Sequence, residues 1–148
     1  MRQIAEFVAA TDADADAKAE APQKAGEVLS FDLIAGDASP RKYYRVVFSA
    51  ASGSPKRSFI AVDAPHSEKN PEFLHIRQLL EQAHIRVPAL IAADVEAGFL
   101  LLEDLGDDVL RPILSGHAVG AWYAMALNTL SNLAAIPVAT SGLAHYDA

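Results

Sequence analysis

Between Val28 and Val62 the chain reads as short apolar runs broken by glycine, serine and proline. Val28 to Ile34 alternates apolar and polar residues imperfectly, and Tyr43 to Phe48 is aromatic and β-branched, so both predict strands joined by a turn at Gly36 to Pro40. A second turn at Ser52-Gly53-Ser54-Pro55 leads into a third strand, Ser58 to Val62. Three successive strands with short turns predict an antiparallel meander. The period then changes. Asn70 before Pro71 marks a helix start, the amide capping free backbone N–H groups while the proline takes a position where no donor is needed. Phe73, Ile76, Leu79, Leu80 and Ala83 follow at helical spacing and predict a face packed on the sheet. Val87, Pro88, Leu90 and Ile91 predict a fourth strand and Phe99 to Leu102 a fifth, after a turn at Glu96 to Gly98. Beyond Gly106 the pattern is helical, first over Val109 to Leu114 and then from Ala118 to Ile136. On that last helix Trp122, Met125, Ala126, Thr129, Leu130 and Leu133 share one face, which needs a cover.

Upstream of these elements, Thr11 to Gly26 alternates alanine with Asp, Lys and Glu and includes Pro22, with too little apolar bulk to fold by itself. This predicts a linker or frayed helix and a division into a flexible segment over 1–27, an α+β unit over 28–106 and a helical part over 107–148. With 148 residues, 51% hydrophobic and 21% charged, the composition is globular and the chain is long enough for a real core. The net charge of -7 argues against a nucleic-acid partner, because a phosphate-binding surface needs clustered Lys and Arg. The absence of cysteine excludes disulfides and thiolate zinc sites and fits the cytoplasm. The apolar run after Met1 is short and interrupted by Glu6, so no signal peptide is expected. Asn128, Ser131 and Asn132 interrupt the longest apolar stretch, so neither a membrane span nor a membrane partner is expected.

Two segments carry candidate chemistry. GFLLLEDLG, from Gly98 to Gly106, ends an apolar strand abruptly in two carboxylates, a leucine and a glycine, which is how a nucleotide-kinase hinge is built. GDASPRKYYRVVF, from Gly36 to Phe48, lies where a phosphate-covering hairpin is expected. Gly36 permits close backbone approach, Ser39 offers a hydroxyl and an N–H, and Arg41, Lys42 and Arg45 bring positive charge near the turn. Taken alone, the same residues also fit an ordinary hairpin with a solvated basic turn, and a strand ending in an acidic turn.

Taken in order, GDAS, RKYYRV, IAVDAP, EKNPEF and GFLLLEDLG resemble the aminoglycoside phosphotransferase family. They are most similar to the bacterial sugar kinases that phosphorylate the anomeric carbon of N-acetylmuramate and N-acetylglucosamine in cell-wall recycling. The resemblance covers about Val28 to Tyr146. It implies an α+β fold: a protein-kinase-like N-terminal lobe of five antiparallel strands with one inserted helix, followed by a hinge and C-terminal helices. It also implies an ATP-dependent phosphotransferase with nucleotide and amino sugar as ligands. Adenine is then expected on backbone groups near Glu103, Asp104 and Leu105, leaving those carboxylates to solvent or ribose. Many kinases end the third strand in a lysine, V-A-I-K, that holds the α- and β-phosphates and pairs with a helix glutamate. Here the run is Ile60, Ala61, Val62, Asp63, a D-A-P ending that the similar sugar kinases share. Asp63 can hold phosphate only through a metal or a neighbouring cation. The cation is left open among Arg41, Lys42 and Arg45, and Glu68 and Glu72 compete for the glutamate role.

His66, His75, His84, His117 and His145 form no H-E-x-x-H arrangement, so no metal site is expected of them. His145, Tyr146 and Asp147 imitate the H-x-D of a kinase catalytic loop, but no metal-binding Asn or Asp follows before Ala148. No catalytic residue is therefore assigned, and Mg is expected only with a C-terminal lobe. The chain is expected to be inactive alone, as a fragment or a truncation, with self-association through the Ala118 to Ile136 helix. The alternatives are a noncatalytic nucleotide-binding or interaction module, or a degenerate remnant.

Overall fold

The computed structural model describes residues 2–17, 28–34, 40–49, 57–108, 119–137 and 141–143. Gly36, Ser39, His117, His145 and the helix expected over Val109 to Leu114 lie outside the described residues. Five strands form one sheet: β1 (Val28–Ile34), β2 (Lys42–Phe48), β3 (Arg57–Asp63), β4 (Leu90–Asp94) and β5 (Phe99–Glu103). Their order is β1-β2-β3-β5-β4, and every neighbouring pair is antiparallel. Among the described residues three helices accompany them, α1 (Arg2–Ala17), α2 (Asn70–Gln82) and α3 (Val119–Ala134), with a 3-10 turn at His66–Glu68 before α2. The α+β architecture, with one helix inserted between the third and fourth strands, is the one the sequence predicts.

Period-two burial along β2 defines the two faces of the sheet. Tyr44, Val46 and Phe48 are buried, whereas Tyr43, Arg45 and Val47 are half-buried. Residues directly opposite in an antiparallel pair lie on the same side. The register Tyr44 to Ala61 to Leu101 therefore marks one face, and Tyr43 to Val62 to Leu100 the other.

The first face is covered by α1. Ile4 and Val8 are fully buried in a core with Tyr44, Val46, Phe48, Ala61 and Leu101, and the Phe7 ring lies 5.9 Å from that of Phe99. Residues 2–17, expected to belong to a flexible segment, are thus helical, and Ile4, Phe7 and Val8 among them contribute to the core. The physical reason is a short stripe, Ile4, Phe7 and Val8, at the i, i+3, i+4 spacing of one helix face. Burying Ile4 and Val8 stabilises the unit by about 1.5–3 kcal/mol each.

The chain divides into two compact units, one of Met1–Pro71 and Pro88–Leu105, the other of Glu72–Val87 and Gly106–Ala148. Most of α2 thus belongs with α3, not with the strands among which it lies in sequence. Its apolar stripe is only partly buried, and Ile76 is exposed. The helix that closes the sheet's core cluster is α1, not α2. In the second unit α2 ends in a Schellman turn: the Ile85 N–H donates to the Leu80 carbonyl, the His84 N–H donates to the Glu81 carbonyl, and His84 takes a left-handed φ of 56°. The His75 imidazole Nε2 lies within hydrogen-bond distance of the carbonyl of the buried Ser141. None of the residues of α3 is buried, and its Thr129 and Ser131 hydroxyls donate to carbonyls one turn back, at Met125 and Leu127.

The turn between β4 and β5 closes against the end of β3. Gly98 is buried with φ +80°, the Ala64 N–H donates to its carbonyl at 2.8 Å, and a Cβ added at Gly98 would stand 2.3 Å from the Ala64 carbonyl oxygen. Backbone lines that space, so no rotamer change relieves the clash. Gly98→Ala is expected to destabilise the fold by about 3 kcal/mol, combining a left-handed backbone with displacement of β3. Urea denaturation monitored by tryptophan fluorescence and circular dichroism checks this, and a loss below about 0.5 kcal/mol would contradict the close contact.

Candidate functional site

The sheet face opposite α1 carries two polar clusters, one at each end of the central strands. The first is at the hinge. Arg45, half-buried in the middle of β2, reaches across β3 and grips Asp104 with two hydrogen bonds, Nε to Oδ2 at 2.7 Å and Nη2 to Oδ1 at 3.1 Å. The Ser58 hydroxyl donates to the same Oδ2 at 2.8 Å. The Asp104 side chain is 5% exposed and that of Arg45 27%. This is a planar, two-point grip of the kind a guanidinium makes better than an ammonium.

Next to it, the Ala89 N–H donates to Glu103 Oε2 at 3.0 Å, while the Glu103 N–H donates to the Ala89 carbonyl at 2.9 Å. Neither carboxylate is left to solvent or ribose, as the sequence suggested. Both hold the hinge to neighbouring segments, because a carboxylate losing water at the end of a buried strand needs donors. Leu105 follows with 56% of its surface exposed. Arg45, one of three cations considered for phosphate, is engaged with Asp104.

The second cluster lies at the opposite end of β2 and β3. Arg41 Nη2 donates to the Glu68 carbonyl and lies 3.5 Å from Asn70 Oδ1, while its Nε is 3.9 Å from Glu68 Oε2. Asn70, 2% exposed, donates through Nδ2 to the Ala64 carbonyl at 2.9 Å. Its amide therefore joins the end of β3 to the start of α2. A buried carbonyl at a strand end requires a donor, and this need decides the amide's orientation. Of the two competing glutamates, Glu68 is the partner of an arginine, whereas Glu72 is exposed in the first turn of α2.

Lys42 and Asp63 stand opposite each other in the β2–β3 register, and Asp63 also faces Phe99, which packs on Phe7 of α1. Both therefore share the face that α1 covers, away from Tyr43, Arg45 and Val62. Arg41 precedes Lys42 and so falls on the same side as Tyr43 and Arg45.

Ser58, Ala64, Asn70 and Ala89 were not singled out as site residues by sequence. Ser58 had a signal, a lone hydroxyl in an otherwise apolar strand. The Ala64 and Ala89 contributions are made by backbone atoms and leave no trace in residue type.

Among the described residues no group of three or more His, Asp or Glu is placed to hold a metal, and no helix is long and apolar enough to cross a membrane. The second unit contains a cavity of about 390 Å³ at the ends of α2 and α3, bordered by Leu79, His84, Asn132 and Ile136 among others. None of the sequence-predicted site residues lines it.

Comparisons with known proteins bear on this geometry. The model of the phosphotransferase enzyme family matches residues 30–148. The chain is 35% identical over 125 residues to an N-acetylmuramate/N-acetylglucosamine kinase of Pseudomonas putida, covering 82% of this chain and 35% of that protein. It is 40% identical over 94 residues to the kinase of the same name from Pseudomonas aeruginosa, covering 59% of this chain and 26% of the relative. A third such kinase, from Neisseria meningitidis serogroup B, is 32% identical over 107 residues, 70% of this chain and 30% of its own length. The chain thus spans about a third of the length of the curated relatives it matches. No solved structure matches it significantly.

The Arg45–Asp104 grip makes an asymmetric prediction. Arg45→Ala strands a nearly buried carboxylate and is expected to destabilise the fold by about 3 kcal/mol. Asp104→Ala leaves a guanidinium that water can still reach and is expected to cost about 1–2 kcal/mol. Chemical denaturation of both variants and the double variant checks the order. Equal, negligible losses would show that the pair contributes nothing to the hinge.

Proposed function

The chain belongs to the phosphotransferase enzyme family, and from that membership we propose that it forms the nucleotide-binding part of an ATP-dependent kinase acting on an amino sugar. The observation that carries this reading is the arrangement of one sheet face. A hinge held by Arg45, Ser58 and Asp104 lies at one end, and a cation–glutamate pair, Arg41 and Glu68, lies at the other. Four residue steps along β2 separate Arg41 from Arg45, about 13 Å at strand rise, which suits an extended nucleoside triphosphate. Adenine is assigned to backbone groups near Glu103, Asp104 and Leu105, the phosphates to the Arg41 end, and the Gly36 to Ser39 turn to a cover over them.

The named relatives, kinases of N-acetylmuramate and N-acetylglucosamine, support an amino-sugar acceptor; a place in peptidoglycan recycling in the cytoplasm, with neither nucleic acid nor membrane as partner, is part of the same proposal. ATP supplies the transferable phosphoryl group. Among the described residues no cluster of carboxylates fits a magnesium ion. With no catalytic base assigned among its residues, the chain is proposed to bind nucleotide without transferring phosphate by itself.

Thermal unfolding of the chain during ATP titration tests this reading. At about ten times Kd, bound ATP adds about 1.4 kcal/mol of stability, which raises Tm by several degrees. No shift at millimolar ATP would overturn it.

A second reading, an interaction module, is favoured by α3, where Tyr123, Met125, Leu127 and Leu130 are 58–62% exposed. Apolar side chains so disposed associate in water. Sedimentation of the chain at micromolar concentration is expected to show self-association, reduced by Met125→Glu with Leu130→Glu. A strictly monomeric chain would count against this role for α3.

A further inference from the structure

We propose that Arg41 is the phosphate-holding cation of this fold, delivered from β2 in place of the lysine that many kinases place on β3, with Glu68 as its acidic partner and Asn70 as a positioning residue. This inference rests on the nucleotide-binding reading above.

The argument begins with side-chain parity. Ala61 and Asp63 share the face of β3 that α1 covers, while Ile60 and Val62 lie on the other, and Ala64 is the next residue in step with them. A lysine reaching phosphate on the face away from α1 would therefore have to occupy the position of Ala64. That residue is fully buried and offers only a methyl group. The V-A-I-K device is thus absent from β3 itself, both at Asp63 by parity and at Ala64 by chemistry.

The missing charge is provided next door. Arg41 lies on the neighbouring strand, one residue before β2 begins, in step with Tyr43 and Arg45. Its guanidinium is tied to Ala64 through a single side chain: Asn70 Nδ2 donates to the Ala64 carbonyl at 2.9 Å, and Asn70 Oδ1 is 3.5 Å from Arg41 Nη2. Glu68 holds the same group from the other side, by its carbonyl and by a carboxylate at 3.9 Å. The two side chains are 15% and 19% exposed, dry enough to strengthen an electrostatic contact and open enough for a ligand to reach.

The other basic candidates fail on position. Lys42 shares the α1 face, and Arg45 grips Asp104 at the hinge end.

An arginine suits this displaced origin. Its planar group has five N–H donors in a fixed fork, so one side chain can serve several acceptors in a defined plane. An ammonium at the end of a flexible stem has three donors and no such fork. The 3-10 turn at His66–Glu68, followed by a left-handed Lys69 (φ 51°), places both the carbonyl and the carboxylate of Glu68 toward it.

Paired titrations of the 148-residue chain with ATP and with adenosine test the assignment by calorimetry. Arg41→Gln retains a donor for the Glu68 carbonyl but removes the charge. It is expected to weaken ATP binding about tenfold, the scale of one charge-assisted contact, and to leave adenosine binding within about twofold. Arg41→Lys is expected to recover only part of the loss. An unchanged ratio of ATP to adenosine affinity in folded Arg41→Gln would overturn the role of Arg41 while leaving nucleotide binding intact. Failure of the unsubstituted chain to bind either ligand would remove the nucleotide reading and this inference together.

If Arg41→Gln does not fold, phenylglyoxal labelling of the unsubstituted chain, read by peptide mass spectrometry, serves instead. ATP and not adenosine is expected to slow modification of Arg41, and equal rates under both would overturn the proposal.

Discussion

The fold depends on the contact between Gly98 and Ala64. A backbone carbonyl lies where a side chain at Gly98 would begin, and the return hydrogen bond from the Ala64 N–H fastens the β4–β5 turn to the end of β3. Once this is set, the remaining buried carbonyl of Ala64 needs a donor, which Asn70 provides. The start of α2 is thereby held at the strand end, and with it the Glu68 groups that orient Arg41. Three chain segments distant in sequence thus meet through backbone atoms and one amide. The precision of the charged pair derives from this neutral scaffold, since exposed ion pairs alone define geometry poorly.

At the other end of the strands the logic is reversed, and charge does the scaffolding. Asp104 gives up most of its hydration, and such a carboxylate is tolerated only when donors converge on it. Arg45 and Ser58, from two different strands, satisfy it and so relate the hinge to β2 and β3 together. Acidic residues in a hinge sequence suggest groups waiting for a ligand hydroxyl. Here they have been spent on architecture, Asp104 on Arg45 and Ser58, Glu103 on the Ala89 N–H.

The strands and helix starts were legible because each has a local cause: β-branched runs, a proline at the first helical turn, glycine at a turn. Val28–Ile34 and the Asn70 start coincide with expectation, and the other strand boundaries shift by a few residues at most. The role of α1 was obscured because Ile4, Phe7 and Val8 precede a long Ala/Asp tract that dominates the local composition. The candidate site was legible as a set of residues but not as a set of partners. Arg45 and Asp104 are 59 positions apart, and their pairing depends on a strand order in which β3 lies between them. Likewise, the residue type of Asp63 invited a chemical role that only the register, by revealing its face, could weigh. Periodicity reports which positions alternate, but the choice of face belongs to tertiary structure.

The helix at the N-terminus also has a kinetic consequence. Ile4 and Val8 are synthesised almost a hundred positions before Leu101, which shares their core cluster. During synthesis α1 must therefore wait, with its apolar stripe unsatisfied, until β5 has emerged and paired with β3. Contacts of such high sequence separation form late, because loop closure has to precede the burial that rewards it. The Ala/Asp-rich continuation of this helix is well suited to that delay, keeping the waiting segment charged and slow to aggregate.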